Sequence, residues 1–222
     1  MQKSLPLAQA YEKLFAQFGP QQWWPGYSRI ETIVGAILTQ NTSWKNVEKA
    51  LANLKEHEAL NLQRLYDAPE ATLAKWIRPA GYFNVKAKRL KAFMALVVEH
   101  YRGDLDVLFQ LETSELREVL LAVNGIGPET ADCILLYAAE RPVFVVDAYT
   151  RRFMSRHGWL GEAATYDEVA LLFQEQLPSD TALFNEYHAL IVNLGKDLCR
   201  KQPQCDPCPL RDMLPRNGPY AP

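Results

Sequence analysis

The segment LREVLLAVNGIGPETADCILLYAA, Leu116 to Ala139, limits the fold more than any other stretch of the chain. Apolar residues recur at helical spacing as far as Ala122, stop at Asn124-Gly125-Ile126-Gly127-Pro128, and resume from Glu129 through Ala139. That pattern predicts helix, tight hairpin, helix. Two glycines around one apolar residue let the backbone turn sharply, holding Ile126 in the core and leaving successive amides facing outward at a helix N-terminus. Such amides, with the positive end of the helix dipole, make a site for one phosphate, often with a bound monovalent cation, and backbone amides read no base sequence. A G-x-G between helices is, by itself, more often a plain helical hairpin.

Helical periodicity continues through the rest of the chain, as in Leu90, Phe93, Met94, Val97, Val98 and Tyr101, while period-two alternation is scarce. The chain is therefore all-α, with about ten helices, most of them short. Ser28-Arg29-Ile30-Glu31 and Thr165-Tyr166-Asp167-Glu168 both have the S/T-x-x-E form of a helix start. Breaks fall at Gly19-Pro20 through Pro25-Gly26, at Pro69, Pro79 to Gly81, Gly125 to Pro128, Gly158 and Pro178. The extended candidate is Val143 to Val146, too short to support a sheet alone.

With 222 residues, 48% of them hydrophobic, the chain can bury one large core or two modest lobes. The first residues form an amphipathic helix rather than a signal peptide, and no run approaches the length of a membrane span, so the expected location is the cytoplasm, associated with the nucleoid, with no membrane partner. The net charge of -2 conceals segregation. Lys75 to Arg102 carries seven Lys or Arg against Glu99, and Gly103 to Glu140 carries eight acids against Arg117. Solvated helix faces of differing sign explain this, and so does a basic face for nucleic acid.

Some residues beyond the hairpin comes VFVVDAYTRR, a buried run delivering Asp147 to the start of another helix. By residue type Asp147 is a helix N-cap. The hairpin followed by VVDAYTRR resembles the helix-hairpin-helix DNA glycosylase superfamily, of which endonuclease III is the best-known member, and the resemblance extends from about Gln22 to Cys208. It implies a two-lobed all-α fold on double-stranded DNA containing damaged bases, acting as a monomer. One lobe would span 26-137 and end in the helix-hairpin-helix (116-139); a second would combine 1-25 with 138-198; 199-222 would be a cysteine loop and tail. Asp147 matches the family's catalytic aspartate, placed to stabilise an oxocarbenium-like sugar and orient water. Gly125, Ile126, Gly127, Glu129 and Thr130 would meet the DNA backbone, with Arg151 and Arg152 near it.

Family members that also cut the backbone carry a lysine after the hairpin, whose amine attacks the sugar. Here Glu129 matches that position, which predicts a monofunctional enzyme that uses water and leaves an abasic site. Glu129 also complements the helix dipole. The element QQWWPGYSRIETIVGAILTQNTSWKNV, Gln22 to Val47, with RPAGYFNVKAKRLK, Arg78 to Lys91, looks like the 3-methyladenine DNA glycosylase III branch. In that branch two aromatics sandwich the extruded base. The matching positions are Trp23 and Trp44, with Trp24 and Pro25 lining the pocket, although paired tryptophans before a proline are also ordinary packing at a bend. A cationic alkylated purine would be held by cation–π attraction and would leave without much acid catalysis. Gln40 matches the glutamine that fills the gap in the duplex, and Lys86, Lys88, Arg89 and Lys91 supply cations for phosphates.

The chain ends in CRKQPQCDPCPLRDML, Cys199 to Leu214, which holds three of four cysteines. Many relatives end in four cysteines that ligate a [4Fe-4S] cluster, with roughly six, two and five residues between them. Here the gaps are five and two, and Leu214 stands where the last thiolate belongs. Two outcomes are open: a cluster on Cys199, Cys205 and Cys208 with an open iron or a non-cysteine ligand, or a metal-free loop held by prolines and packing. Three rivals accompany the alkylpurine reading. They are a glycosylase of the same fold for uracil, mismatched thymine or oxidised bases, an endonuclease III-type glycosylase with lyase activity, and a DNA-binding module without catalysis.

Overall fold

A computed structural model describes residues 4–23, 28–161 and 163–220. The described residues form twelve α-helices and two short 3-10 turns, with no strand. The chain divides into two compact units, Gly26–Arg141 and the combination of Met1–Pro25 with Pro142–Pro222.

The unit of consecutive chain holds α2 (Arg29–Leu38), α3 (Trp44–Glu56), α4 (Leu62–Asp67), α5 (Glu70–Trp76), α6 (Phe83–His100), α7 (Leu105–Leu108), α8 (Thr113–Leu121) and α9 (Pro128–Tyr137). Every residue of α2 from Glu31 to Leu38 is buried, so this helix is surrounded, packing against α3, α6 and α9. Its start forms half of the expected box: the Ser28 hydroxyl accepts from the Glu31 N–H at 3.2 Å. The Glu31 carboxylate instead meets Lys55 Nζ on α3 at 2.6 Å. The unit ends at Arg141 rather than at Tyr137, and the Arg141 guanidinium donates to the carbonyls of Phe109 and Leu111 at 2.7 and 3.3 Å.

The other unit contains α1 (Leu7–Phe18), α10 (Ala148–Arg156), α11 (Tyr166–Gln176) and α12 (Thr181–Asp197), together with the cysteine segment. Here α12 is central, packing against α1 and α10. The Phe144 and Phe173 rings stack 3.8 Å apart, and Phe184 and Tyr187 approach Phe144 edge-on. The buried Tyr187 hydroxyl donates to the Leu7 carbonyl at 2.9 Å, fixing α1 to α12. At Gly195 an added Cβ would lie 2.2 Å from the Tyr149 ring, so the glycine is what allows α10 and α12 to approach this closely. The capping box predicted at α11 is complete in both directions between Thr165 and Glu168.

Val143 to Val146 is buried, yet it pairs with no strand among the described residues. Side chains of α11 replace a partner strand. The Phe144 N–H donates to Gln174 Oε1 and the Val146 N–H to the Tyr166 hydroxyl, each at 3.2 Å. The segment thereby delivers Asp147 from the core to the first turn of α10.

Candidate active site

Asp147 is the N-cap of α10. Its Oδ1 accepts from the Thr150 N–H at 2.8 Å and the Thr150 hydroxyl at 3.0 Å. The other oxygen, Oδ2, stands 3.6 Å from Nε2 of His188 on α12, and the two side chains are 14% and 6% exposed. Burial is the largest influence on this carboxyl and pushes its pKa up; the His188 imidazole and the two Thr150 hydrogen bonds together outweigh it and hold the group below the ordinary aspartate value. Asp147 is therefore an ionised carboxylate near neutral pH, with one oxygen fixed by the helix and one facing an imidazole.

In the same unit Trp23 is half-buried, with Lys196 Nζ on α12 5.4 Å from its ring centroid. Trp24 and Pro25, the other two expected pocket residues, lie outside the described residues. Arg151 donates to the Ala164 carbonyl at 2.6 Å. Arg152 donates to the carbonyls of Gly195 and Cys199 at 2.9 and 2.6 Å, closing the end of α12 instead of pointing to solvent.

The hairpin lies in the unit of consecutive chain. Gly125 has φ +87°, a left-handed conformation, and its missing Cβ leaves space for the Arg89 side chain, which would be 2.4 Å away. Ile126 is buried as predicted, Gly127 caps α9, and Pro128 is among the first helical residues. Gln40, just beyond α2, donates from Nε2 to the Gly125 carbonyl at 3.0 Å and to the Thr130 hydroxyl at 2.9 Å. Arg89 donates to Gln40 Oε1. Four of the residues singled out in the sequence thus form one network. Glu129 is exposed in the first turn of α9, and Trp44 opens α3, half-buried. One brace went unpredicted: Arg117 on α8 grips the buried Asp132 on α9 through both carboxylate oxygens, at 2.7 and 3.2 Å. Its signal was an Asp inside an otherwise apolar helix face.

The basic run on α6 needs correction. Lys86 is 1% exposed, and its ammonium donates to the carbonyls of Leu38 and Ala80 at 2.8 Å each. It closes the ends of two helical segments and is not available to a phosphate. Desolvation, then the neighbouring Arg89 charge, lower its pKa to about 8. Lys91 likewise donates to carbonyls at the end of α4, those of Tyr66 and Ala68. Lys88 is exposed and fits the expected role.

Cys199, Cys205, Cys208 and Leu214 line one cavity of about 20 Å³ with Arg156. The buried Arg156 guanidinium donates to Cys199 Sγ at 3.1 Å and to the Lys201 carbonyl at 2.9 Å. Burial is the main reason that the Cys205 and Cys208 thiols have raised pKa values. A four-cysteine iron–sulfur cluster does not fit this donor set. The fourth position is filled by an isobutyl group, and no three His, Cys, Asp or Glu side chains among the described residues are grouped to hold a metal ion.

An N-capping carboxylate in one unit and a glycine hairpin between α8 and α9 in the other are the two features that the sequence pattern predicted for a helix-hairpin-helix protein. The family model described as HhH-GPD superfamily base excision DNA repair protein matches residues 34–179, and the chain belongs to that superfamily. A Methanocaldococcus jannaschii protein provisionally named a DNA repair glycosylase is 49% identical over 205 residues, covering 91% of this chain and 93% of that protein. The structure of Helicobacter pylori 3-methyladenine DNA glycosylase bound to 1,N6-ethenoadenine superposes with a TM-score of 0.73 at 31% identity, covering 84% of this chain and 97% of that one. A non-covalent endonuclease III–DNA complex gives a TM-score of 0.81 at 20% identity, covering 96% of each chain, a likeness of fold. The chain is a base-excision-repair DNA glycosylase.

Proposed function

We propose that this glycosylase releases alkylated purines of the 3-methyladenine type by hydrolysis and leaves an abasic site without cutting the strand. The observation that carries the hydrolytic reading is the pairing of an ionised Asp147 with an exposed carboxylate, Glu129, at the position where lyase relatives place an amine. A carboxylate forms no Schiff base, so the sugar must be attacked by water. The alkylpurine reading is supported by the likeness to the H. pylori enzyme and by Trp23 and Trp44, which match the aromatics that sandwich a base in that branch.

Duplex recognition begins with the phosphate backbone, through the hairpin amides of Gly125 and Gly127, where a monovalent cation would sit when DNA is bound, and through exposed cations such as Lys88. The damaged nucleotide leaves the stack at a cost of a few kcal/mol, lower for a base that already pairs poorly. An alkylated purine is cationic, so indole faces attract it and the N-glycosidic bond breaks with little need for an acid. The Asp147 carboxylate stabilises the positive charge on the sugar as the bond opens, and Oδ2 orients the water that attacks C1′. No step runs through the cysteine loop.

The test is a panel of duplexes carrying methylated purines, 1,N6-ethenoadenine, uracil, mismatched thymine and oxidised pyrimidines, with base release and strand cleavage measured separately. Release of methylated purine without cleavage is expected. Activity confined to the pyrimidine lesions would instead support an endonuclease III-like specificity.

A further inference from the structure

We propose that His188 is a positioning residue for Asp147, its ring fixing Oδ2 while the Thr150 N–H and hydroxyl fix Oδ1, an assignment that rests on the glycosylase reading above. A carboxylate bonded through one oxygen still turns about its Cβ–Cγ bond, and Thr150 bonds only Oδ1. Oδ2 instead faces His188 Nε2 at 3.6 Å, an ion-pair separation just beyond hydrogen-bond length, and this is the contact that would set the plane of the group.

The position of His188 in the helix makes this more than chance contact. Between Phe184 and Leu194 the inward side of α12 is Phe, Tyr, Leu, Ile and Val, and an imidazole buried at this point costs free energy unless a polar group meets it. The Asp147 carboxylate faces the imidazole at ion-pair distance. Two contacts tie the helix carrying His188 to α10. Tyr149 packs onto Gly195 where a Cβ would stand, and Arg152 clasps the Gly195 and Cys199 carbonyls. The groups acting on the carboxylate are His188 and Thr150. Neighbouring charged and polar groups are engaged elsewhere, Arg151 with the Ala164 carbonyl and Tyr166 with the Val146 N–H.

An oxygen that stabilises a sugar cation must stay ionised and stay aimed. Without the imidazole, burial is left opposed only by Thr150, so the carboxyl pKa moves up. The experiment compares wild type with His188→Leu and His188→Gln in the full chain, using methylated duplex DNA under single-turnover conditions across pH. Affinity is measured with a duplex bearing a tetrahydrofuran abasic analogue, and Asp147 is titrated by NMR in protein carrying 13C-carboxyl aspartate. For His188→Leu we expect base release to slow by about tenfold to a hundredfold, the range for loss of a partner that orients a reacting group, with the acidic limb and the Asp147 titration both shifted upward and affinity unchanged. His188→Gln keeps a side-chain N–H and recovers most of the rate. Wild-type rates with an unmoved Asp147 titration in the Leu variant overturn the proposal. If the Leu variant does not fold, the Gln variant decides: an Asp147 titration closer to wild type than to a free carboxyl in an apolar site supports it, and a fully raised one overturns it. If wild type releases no base from any lesion, the glycosylase reading fails separately, and the NMR titration still decides whether His188 governs Asp147.

Discussion

Gln40 Nε2 donates to the Thr130 hydroxyl at 2.9 Å and to the Gly125 carbonyl at 3.0 Å, so one side chain from the end of α2 bonds both the turn of the hairpin and the helix that follows it. Arg89 completes the arrangement by donating to Gln40 Oε1. The hairpin turn and the first turn of the helix after it are thus tied together by side chains from α2 and α6.

Removing that support should be measurable apart from base chemistry. Gln40→Ala leaves the Thr130 hydroxyl and the Gly125 carbonyl without this donor, and the expected loss is about 1–3 kcal/mol of stability. Affinity for an undamaged duplex should fall as well, because the hairpin amides lose their fixed geometry. Denaturant unfolding and fluorescence anisotropy test the two halves. A variant with wild-type stability but slower base release would favour a role for Gln40 solely as the group that fills the duplex gap.

Lys86 and Lys88 make opposite predictions although they stand two apart in one basic run. Lys86→Met leaves the Leu38 and Ala80 carbonyls without the ammonium and should destabilise by roughly 1–3 kcal/mol, with the salt dependence of DNA binding unchanged. Lys88→Ala should leave stability within about 0.5 kcal/mol and flatten the log–log salt slope by about one unit. There is also a pH signature. The folded-state pKa of Lys86, about 8, lies below the ordinary lysine value, so its buried charge opposes folding at lower pH and that cost is relieved as pH rises through about 8 toward 10.5. The stability difference between wild type and Lys86→Met should change over that window.

These two lysines show what the sequence could and could not convey. The helix-break-helix and the Asp147 cap are local, each decided by neighbours in the chain, and both stand as expected. Whether a lysine reaches a phosphate or a carbonyl depends on what lies above its helix, which is tertiary. The clue was present all the same: Lys86 shares the register of Leu90, Phe93, Met94 and Val97, the buried stripe of α6, whereas Lys88 does not. His188 sits in the same way within a buried stripe of α12. Charged or titratable residues in register with a core stripe are positions where composition misleads and periodicity informs. The Val143 to Val146 segment is the converse case, buried and extended but satisfied by Gln174 and Tyr166 rather than by a strand.

Asp147 caps α10 and, in the proposed function, also faces the sugar cation, and one substitution separates the two tasks. Asparagine is as good a helix N-cap as aspartate, so Asp147→Asn should keep the Thr150 hydrogen bonds and lose no more than about 1 kcal/mol. The negative charge that faces the sugar cation is lost, and base release should fall by about a hundredfold or more. The wild-type carboxyl has a folded-state pKa below its unfolded value, so its contribution to stability is present above the unfolded value near 3.9 and disappears as pH falls through the folded one. Asp147→Asn should lack that acid-dependent component. Single-turnover kinetics and acid unfolding of the two proteins measure these effects.

The cysteine loop yields a gain-of-function test. Leu214 lines the same cavity as Cys199, Cys205 and Cys208, so a cysteine at position 214 would add a fourth thiol to one cavity wall, which the loop would then have to draw together around a cluster. Wild type, reconstituted anaerobically with iron and sulfide, should remain without the broad absorption band near about 400 nm that thiolate-ligated clusters give. Leu214→Cys supplies the fourth thiolate and should take up iron and acquire that band, and the same variant combined with Cys208→Ser should lose both. The Arg156 bond to Cys199 Sγ aids this gain, since a donor to a cluster thiolate stabilises its charge without blocking ligation. A brown, iron-loaded wild type would show that three thiolates suffice and that another group completes the fourth iron. In that case Cys205→Ser should strip the iron while leaving base release intact, because the carboxylate proposed to act on the sugar caps α10 and meets Thr150 and His188, not the loop.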